Sequence, residues 1–426
     1  MNINKIESFL FFTLGITSTF TAIQFGFNGF QLSLFNYVIL LLNFFHFIKS
    51  GFKIYIQKSD AAIGMFFVTL VISTLLNITV LPNAWANESI KAMMKFLLIY
   101  SPFLFLYGKN QLNAHLSMFF KGLIISFIVQ FIWSLLQLYF WNSQNIVINQ
   151  IVFGDILKIK TNHSWLTWHN GFRTTGISWE SANLGICMVV GIFLAKKNLL
   201  KICFFIGLLF TGSRSALVAF LLGCLLYIIN KLYNKLKTKK SSMKSNILFK
   251  YFICLLVIII GLKLTGFDKI LLDSLNNFME RLTEFDGDLS ANRHMDYYFK
   301  LYDILKESPV KFVFGFGTSA AGLPYTELFN WGSIIGAWNP ESDVITILIG
   351  NGIIGFVFYY IWQAQLLYKY KNNKIIFFML VTIMIAGIFY LYLRTWVTLV
   401  LIILWKLDLE DFDNPRDIDK RCNIEK

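Results

Sequence analysis

LLFTGSRSALVAFLLG, residues 208–223, sets one arginine inside an otherwise apolar run. An unpaired guanidinium at the centre of a membrane helix costs about 2.5–3.5 kcal/mol even on the lenient insertion scale. Arg214 therefore has to break the run or sit where lipid does not reach it. The run, 198–230, is also too long for one helix, because a crossing takes about 17–25 residues. Splitting it at Arg214 resolves both points: two short helices meet at a polar turn, and the arginine lands at a membrane surface. The run 375–405 is equally long, carries Arg394 near its middle, and splits in the same way.

The rest of the chain agrees with lipid as the solvent. Its 426 residues are 56% hydrophobic, 17% aromatic and 15% charged, with a mean hydropathy of +0.60, too apolar for a soluble domain. Further apolar runs of spanning length fall at roughly 6–26, 31–49, 61–82, 90–107, 116–140, 177–195, 249–265 and 341–362. With the two split runs these predict an all-α, polytopic membrane protein of about twelve transmembrane helices, forming one membrane domain over 1–426. The charged stretch 407–426 is a cytoplasmic tail.

The formal charge of +14 could indicate a nucleic-acid partner, so its placement matters. With the N-terminus inside and the spans alternating, cytoplasmic segments hold 24 of the 38 Lys and Arg and 9 of the 24 acidic residues, a balance of 24 − 9 = +15. The external side holds the remaining 14 basic and 15 acidic residues, 14 − 15 = −1. The positive charge is thus a topology signal with both termini cytoplasmic. It forms no contiguous basic stripe, and nucleic acid is not an expected partner. The first apolar run has no small-residue cleavage site after it and reads as a retained anchor. Cys187, Cys203, Cys224 and Cys254 lie in apolar spans and Cys422 in the tail, so no disulfide framework follows.

Two external loops are long: 141–176, and 266–340, the largest soluble piece and partly helical. In the second, Leu271, Leu275, Phe278 and Leu282 form one apolar helix face suited to lying on a membrane. A second helix is expected from after Ser290 to Pro309. Four arginines collect on this side: Arg173, Arg214, Arg281 and Arg293. Positive charge is depleted outside, so topology does not explain them, whereas the planar guanidinium fork suits the oxygens of a diphosphate. Two glutamates stand at helix starts. In NPESD, Asn339 is the expected N-cap and Pro340 the first helical residue, with Glu341 in the first turn and Asp343 close behind. In SWESAN, Ser178 is the expected cap and Glu180 takes the matching place. The plain alternative is that both acids only complement helix dipoles, worth about 0.3–1 kcal/mol each.

These stretches together carry a resemblance. RTTGISWESANLG (173–185), TGSRSA (211–216), ANRHMDYY (291–298) followed by FGFG (314–317), and NPESDVITILIGNGIIG (339–355) are similar to the successive signatures of the O-antigen polymerase and ligase superfamily. The resemblance implies a GT-C-like integral-membrane glycosyltransferase of the bacterial cytoplasmic membrane, using undecaprenyl-diphosphate-linked oligosaccharides as donor and acceptor, with a chain-length regulator as a further partner. It implies no nucleotide sugar and no cofactor. Ligases of the superfamily usually carry His-Asn at the start of the last signature. Glu341 and Ser342 stand there in this sequence, which points to a Wzy-like polymerase.

The expected chemistry follows. Arg214 and Arg293, with Arg173, clamp the diphosphate and stabilise the charge that develops on it. Glu341 takes the proton of the attacking sugar hydroxyl, giving inversion at the anomeric carbon. Arg281, Glu180, Asn339 and Asp343 complete the substrate-binding set, and Glu180 and Asp343 are the next candidates for the base. No metal is required by this scheme. His163 and His169 lie beside Trp165 and Trp168, which read better as an interfacial aromatic belt than as metal ligands. GFGTSAAG (315–322) lacks the context of a phosphate loop and reads as a turn. The rival readings are a ligase of the same superfamily and a flippase for lipid-linked oligosaccharides. A flippase would place ionisable groups at mid-depth.

Overall fold

A computed structural model describes residues 3–27, 30–51, 53–159, 172–238, 296–306, 308–328, 340–393 and 395–407. Helices occupy eleven of the twelve predicted segments, and the other, 249–265, lies outside the described residues. In chain order the first half is α1 (Ile3–Thr17), β1 (Gln24–Phe27), β2 (Phe30–Ser33), α2 (Leu34–Ser50), α3 (Ala61–Asn77), α4 (Asn83–Lys95), α5 (Ser101–Phe105) and α6 (Lys109–Gln144). Then follow α7 (Ser181–Leu194), α8 (Asn198–Phe210) and α9 (Arg214–Thr238). The second half has three short helices, α10 (Leu301–Lys306), α11 (Pro309–Phe314) and α12 (Leu323–Leu328), before α13 (Asp343–Lys369), α14 (Lys374–Phe389) and α15 (Trp396–Lys406).

Among the described residues, three stretches are able by length and composition to cross a membrane: Lys58–Asn77, Gln111–Gln144 and Asp343–Lys369. Six shorter apolar helices accompany them. Large apolar side chains such as Phe9, Phe44, Leu75, Ile132, Leu221 and Ile229 point outward, while Gln130, Ser134, Gln137, Ser73 and Thr74 are buried. That inversion of the soluble pattern is what a hydrocarbon solvent selects. Both long apolar runs split as expected: α8 gives way to α9 across Thr211–Ser213, with Arg214 opening α9, and α14 gives way to α15 across 390–395. Arg394 itself lies outside the described residues.

The connections gather at two ends. At one end the segments after α1, before α7, between α8 and α9, and between α14 and α15 touch one another, as detailed below. At the opposite end Tyr55 N–H donates to Phe105 O at 2.7 Å, and the Asp60 carboxylate is buried against Lys406 at 2.7 Å and Trp405 Nε1 at 2.8 Å. This ion pair fastens the start of α3 to the last turn of α15. Helix α1 packs on α6 through Gly15 and Gly122. A Cβ at Gly122 would fall 2.2 Å from Phe12 O, and one at Gly15 2.2 Å from Phe119 O, so the backbones meet with no room for a methyl.

Three features depart from the sequence expectations. The first span, read as 6–26, ends at Thr17. Its remainder turns into an antiparallel hairpin in which Phe27 pairs with Phe30, so the all-α class carries one small sheet. The dipeptide Asn28-Gly29 between the strands is a strong two-residue hairpin signal. The fourth span is interrupted by a π-helical turn, Phe96–Tyr100, between α4 and α5. The third departure concerns α13, which is continuous in sequence but broken at Gly352 (φ 68°, ψ −179°). A Cβ there would lie 2.2 Å from Val313 O, so both the left-handed φ and the close approach demand glycine. The break frees carbonyls of the first half-helix. Ile349 O accepts the Phe316 N–H at 2.8 Å, Gly350 O accepts Gly317 N–H at 3.0 Å, and Ser73 Oγ also donates to Gly350 O at 2.6 Å. The GFGTSAAG stretch is therefore a turn, as expected, but a buried one whose backbone stands in for the missing helical ladder.

Candidate functional site

The segment 172–180, which leads into α7, is held by polar side chains on a helix that is otherwise apolar. Gln130 and Gln137 of α6, seven residues apart and so on one face, are buried. Gln137 Oε1 accepts the N–H groups of Thr175 at 3.1 Å and Gly176 at 2.8 Å. Gln130 Oε1 accepts Ile177 N–H at 2.7 Å, and its Nε2 donates to Thr19 O at 2.8 Å. Asn149, itself bonded by Trp133 Nε1 at 2.7 Å, donates to Gly176 O at 3.0 Å. From the segment after α1, Thr21 Oγ1 accepts Trp179 N–H at 2.9 Å. Almost every polar group of the segment is thus answered inside the protein, as buried non-helical backbone requires.

This scaffold fixes Arg173 and Glu180. Arg173 is half-buried and donates through Nη2 to Gly212 O at 3.3 Å and through Nε to Thr211 O at 3.5 Å. Its guanidinium therefore lies on the turn that opens α9, one residue pair from Arg214. Glu180 is the residue immediately before α7, with extended φ and ψ (−144°, 157°). Its carboxylate does not cap the helix. It accepts a hydrogen bond from the Tyr390 hydroxyl on the α14–α15 linker instead. Burial first, and the negative charge of Glu341 second, push the Glu180 carboxyl above the ordinary range, with Arg173 pulling the other way. Glu180 and Arg173, from the connection before α7, and Glu341, from the start of α13, therefore share one electrostatic neighbourhood.

The start of α13 differs from the cap expected in sequence. Ser342, not Asn339, is the N-cap: its Oγ accepts Ile345 N–H at 3.4 Å with φ and ψ extended at −156° and 129°. The Thr346 hydroxyl fastens Pro340 O at 3.0 Å, which holds Pro340 outside the helix. Glu341 consequently precedes the helix, and the acid in its first turn is Asp343. Before α7 the expected cap also moves, from Ser178 to Glu180, because the Ser178 hydroxyl is committed to Thr19 O at 3.1 Å. The two glutamates are therefore not at matching first-turn positions. Asp343 is buried, and its Oδ1 accepts the N–H groups of Tyr392 at 2.9 Å and Leu393 at 2.8 Å.

Of the residues singled out in sequence, Arg173, Glu180, Glu341 and Asp343 lie on segments that touch at one end of the bundle, and Arg214 opens α9 beside them. Arg281, Arg293 and Asn339 lie outside the described residues, as do His163 and His169. Sequence reasoning missed Tyr390, which only the fold brings to Glu180. It also missed Gln130 and Gln137, for which a signal existed: two amides on one face of an apolar span have to serve something.

Residues 199–360 match the family model described as O-antigen ligase. The matched region contains TGSRSA, ANRHMDYY, FGFG and the whole of the α13 signature, and starts after RTTGISWESANLG. It is consistent with the O-antigen polymerase and ligase superfamily that the motifs resemble. No curated protein matches the chain.

Proposed function

We propose that this chain is a polysaccharide polymerase that joins undecaprenyl-diphosphate-linked oligosaccharide repeats into an O-antigen or capsular-type polymer at the external face of the cytoplasmic membrane. The family match supports a membrane enzyme of the glycosyltransferase kind acting on lipid-linked glycans. The observation that carries the reading further is that the segment bearing Arg173 and Glu180 meets the turn opening α9 and the α14–α15 linker, itself tied to the start of α13 beside Glu341, where the apolar helices end. That is where a lipid-linked diphosphate presents its sugar.

In this mechanism a hydroxyl of the acceptor glycan attacks the anomeric carbon of the donor. The new carbon–oxygen bond forms as the bond to the diphosphate breaks, and undecaprenyl diphosphate leaves with the electron pair. Glu341 receives the hydroxyl proton, and attack from the face opposite the leaving group inverts the anomeric centre. Arg214 and Arg293, with Arg173, hold the diphosphate and stabilise the charge it gains. One such pre-aligned donor is worth about 2.7–4 kcal/mol in the transition state. Arg281 and Asn339 extend the glycan-binding side. The expected twelve-span, GT-C-like topology with both termini cytoplasmic supports an external position for this site.

The family match does not separate polymerase from ligase, while Glu341-Ser342 in place of His-Asn favours a polymerase. The surface-glycan ladder of a deletion strain separates them: single capped repeats mark a lost polymerase, free polymer a lost ligase, and repeats trapped on the cytoplasmic face a lost flippase. Single repeats are the expected result.

A further inference from the structure

A short side-chain acceptor such as Asp or Ser at a helix N-cap bonds the exposed amides of the first turn, a contact worth about 1 kcal/mol. Glu180 occupies that position in α7 and forgoes the contact. Its oxygen is taken by the hydroxyl of Tyr390, 210 residues away on the α14–α15 linker. The linker is in turn tied to the start of α13, where one oxygen of buried Asp343 accepts two successive linker amides, Tyr392 N–H and Leu393 N–H. Asp343 is further confined because a methyl group at Gly387 of α14 would lie 2.8 Å from its Oδ2. Helix stability does not call for this arrangement, since it leaves the first turn of α7 without its side-chain cap.

We infer that Tyr390 is a positioning residue that aims the Glu180 carboxylate into the site, and that Asp343 sets Tyr390 by fixing the backbone of the linker. The inference rests on the reading that this end of the bundle carries out glycosyl transfer. Glu180 then faces Arg173 from its own segment, Glu341 from the α13 start, and Tyr390 and Tyr392 from the linker, with Arg214 at the start of neighbouring α9. The Tyr390 hydroxyl donates to the carboxylate and so favours its ionised form. Removing that hydroxyl raises the pH at which Glu180 loses its proton.

The test is a titration of the protonated-carboxyl infrared band in the purified full chain, assigned to Glu180 by its loss in Glu180→Gln. Tyr390→Phe should move that titration to higher pH by about one unit, a tenfold change in the proton equilibrium. It should also lower polymer formation about 10- to 100-fold, the loss of a hydrogen bond to a charged group, with the acidic limb of the rate–pH profile displaced in the same direction. Asp343→Ala should shift the titration the same way, and in the double variant it should add nothing to Tyr390→Phe. An unmoved titration in folded Tyr390→Phe overturns the inference, and additive shifts overturn the part given to Asp343. If Asp343→Ala fails to insert, Asp343→Asn serves in its place, because its amide oxygen still accepts the two N–H groups and should leave the titration where it is. A shifted band in a wild-type protein that makes no polymer would instead refute the proposed function and leave the positioning role standing.

Discussion

Gln137→Leu tests whether the amides of α6 are what build the site. The side-chain volume is nearly conserved, but the acceptor of two buried N–H groups, Thr175 at 3.1 Å and Gly176 at 2.8 Å, is lost. Leaving a buried donor unanswered costs about 1–3 kcal/mol, so the pair amounts to about 2–6 kcal/mol. The contacts from Gln137 Nε2, at 3.2 and 3.4 Å, are longer and add little. The Asn149 bonds remain, so the cost should appear as opening of 172–180 and not as unfolding of the bundle. Hydrogen exchange read by mass spectrometry on detergent-purified protein measures this opening directly. At 1.36 kcal/mol per decade the peptide covering 172–180 should exchange about 30-fold to 10⁴-fold faster. Gln130→Leu orphans one amide, Ile177 N–H, and should cost about half as much. Gln137→Glu keeps an acceptor and should protect the segment. Exchange in Gln137→Leu within about threefold of the parent, with the helices intact, would mean that the segment is held by its other contacts and that the argument from unsatisfied donors fails.

Three further outcomes follow from the site. Glu341→Gln preserves shape but removes the proton acceptor, so polymer formed per folded protein should fall about 10²–10⁴-fold, with Glu341→Asp keeping part of the activity. Full activity in Glu341→Gln would move the base to Glu180 or Asp343. Arg214→Lys and Arg293→Lys keep charge but lose the bidentate fork, and each should abolish most polymer at normal insertion levels; normal polymer in both would make these residues lipid anchors. Finally, the raised Glu180 carboxyl means that the folded protein holds a proton that the unfolded chain releases. This contribution to stability is complete below the ordinary carboxyl range and is lost as pH rises through the raised value. Glu180→Gln should therefore flatten the decline of thermal stability with rising pH across that window, and a decline of unchanged slope would contradict the burial of the charge.

What could be read from sequence was what local physics decides. Arg214 in an apolar run forced a turn, and the helices do end at Phe210 and restart at Arg214. The long run 375–405 is likewise broken, between Phe389 and Trp396. Choices between equivalent local partners were not legible: Asn339, Ser342 and Ser178 are all good caps, and the decision rests on Thr346 holding Pro340 and on Thr19 occupying Ser178. The break at Gly352 had a signal in Gly350-Asn351-Gly352, set inside an apolar run of spanning length, and the amides that make the break tolerable come from residues 316 and 317. Tyr390 gave no signal at all, being one tyrosine among 18 until the fold set it beside Glu180. The hairpin after α1 did have its signal in Asn28-Gly29, obscured by apolar residues on both sides.

The buried pair of Asp60 and Lys406 also bears on biogenesis. Its two members are 346 residues apart, so Asp60 is synthesised, and α3 inserted, long before its counter-charge exists. A lone buried carboxylate is not tolerated, and the start of α3 must stay hydrated until α15 docks and Lys406 arrives with Trp405. The contact thereby ties burial of the α3 start to docking of α15: without α15 the Asp60 carboxylate keeps its water.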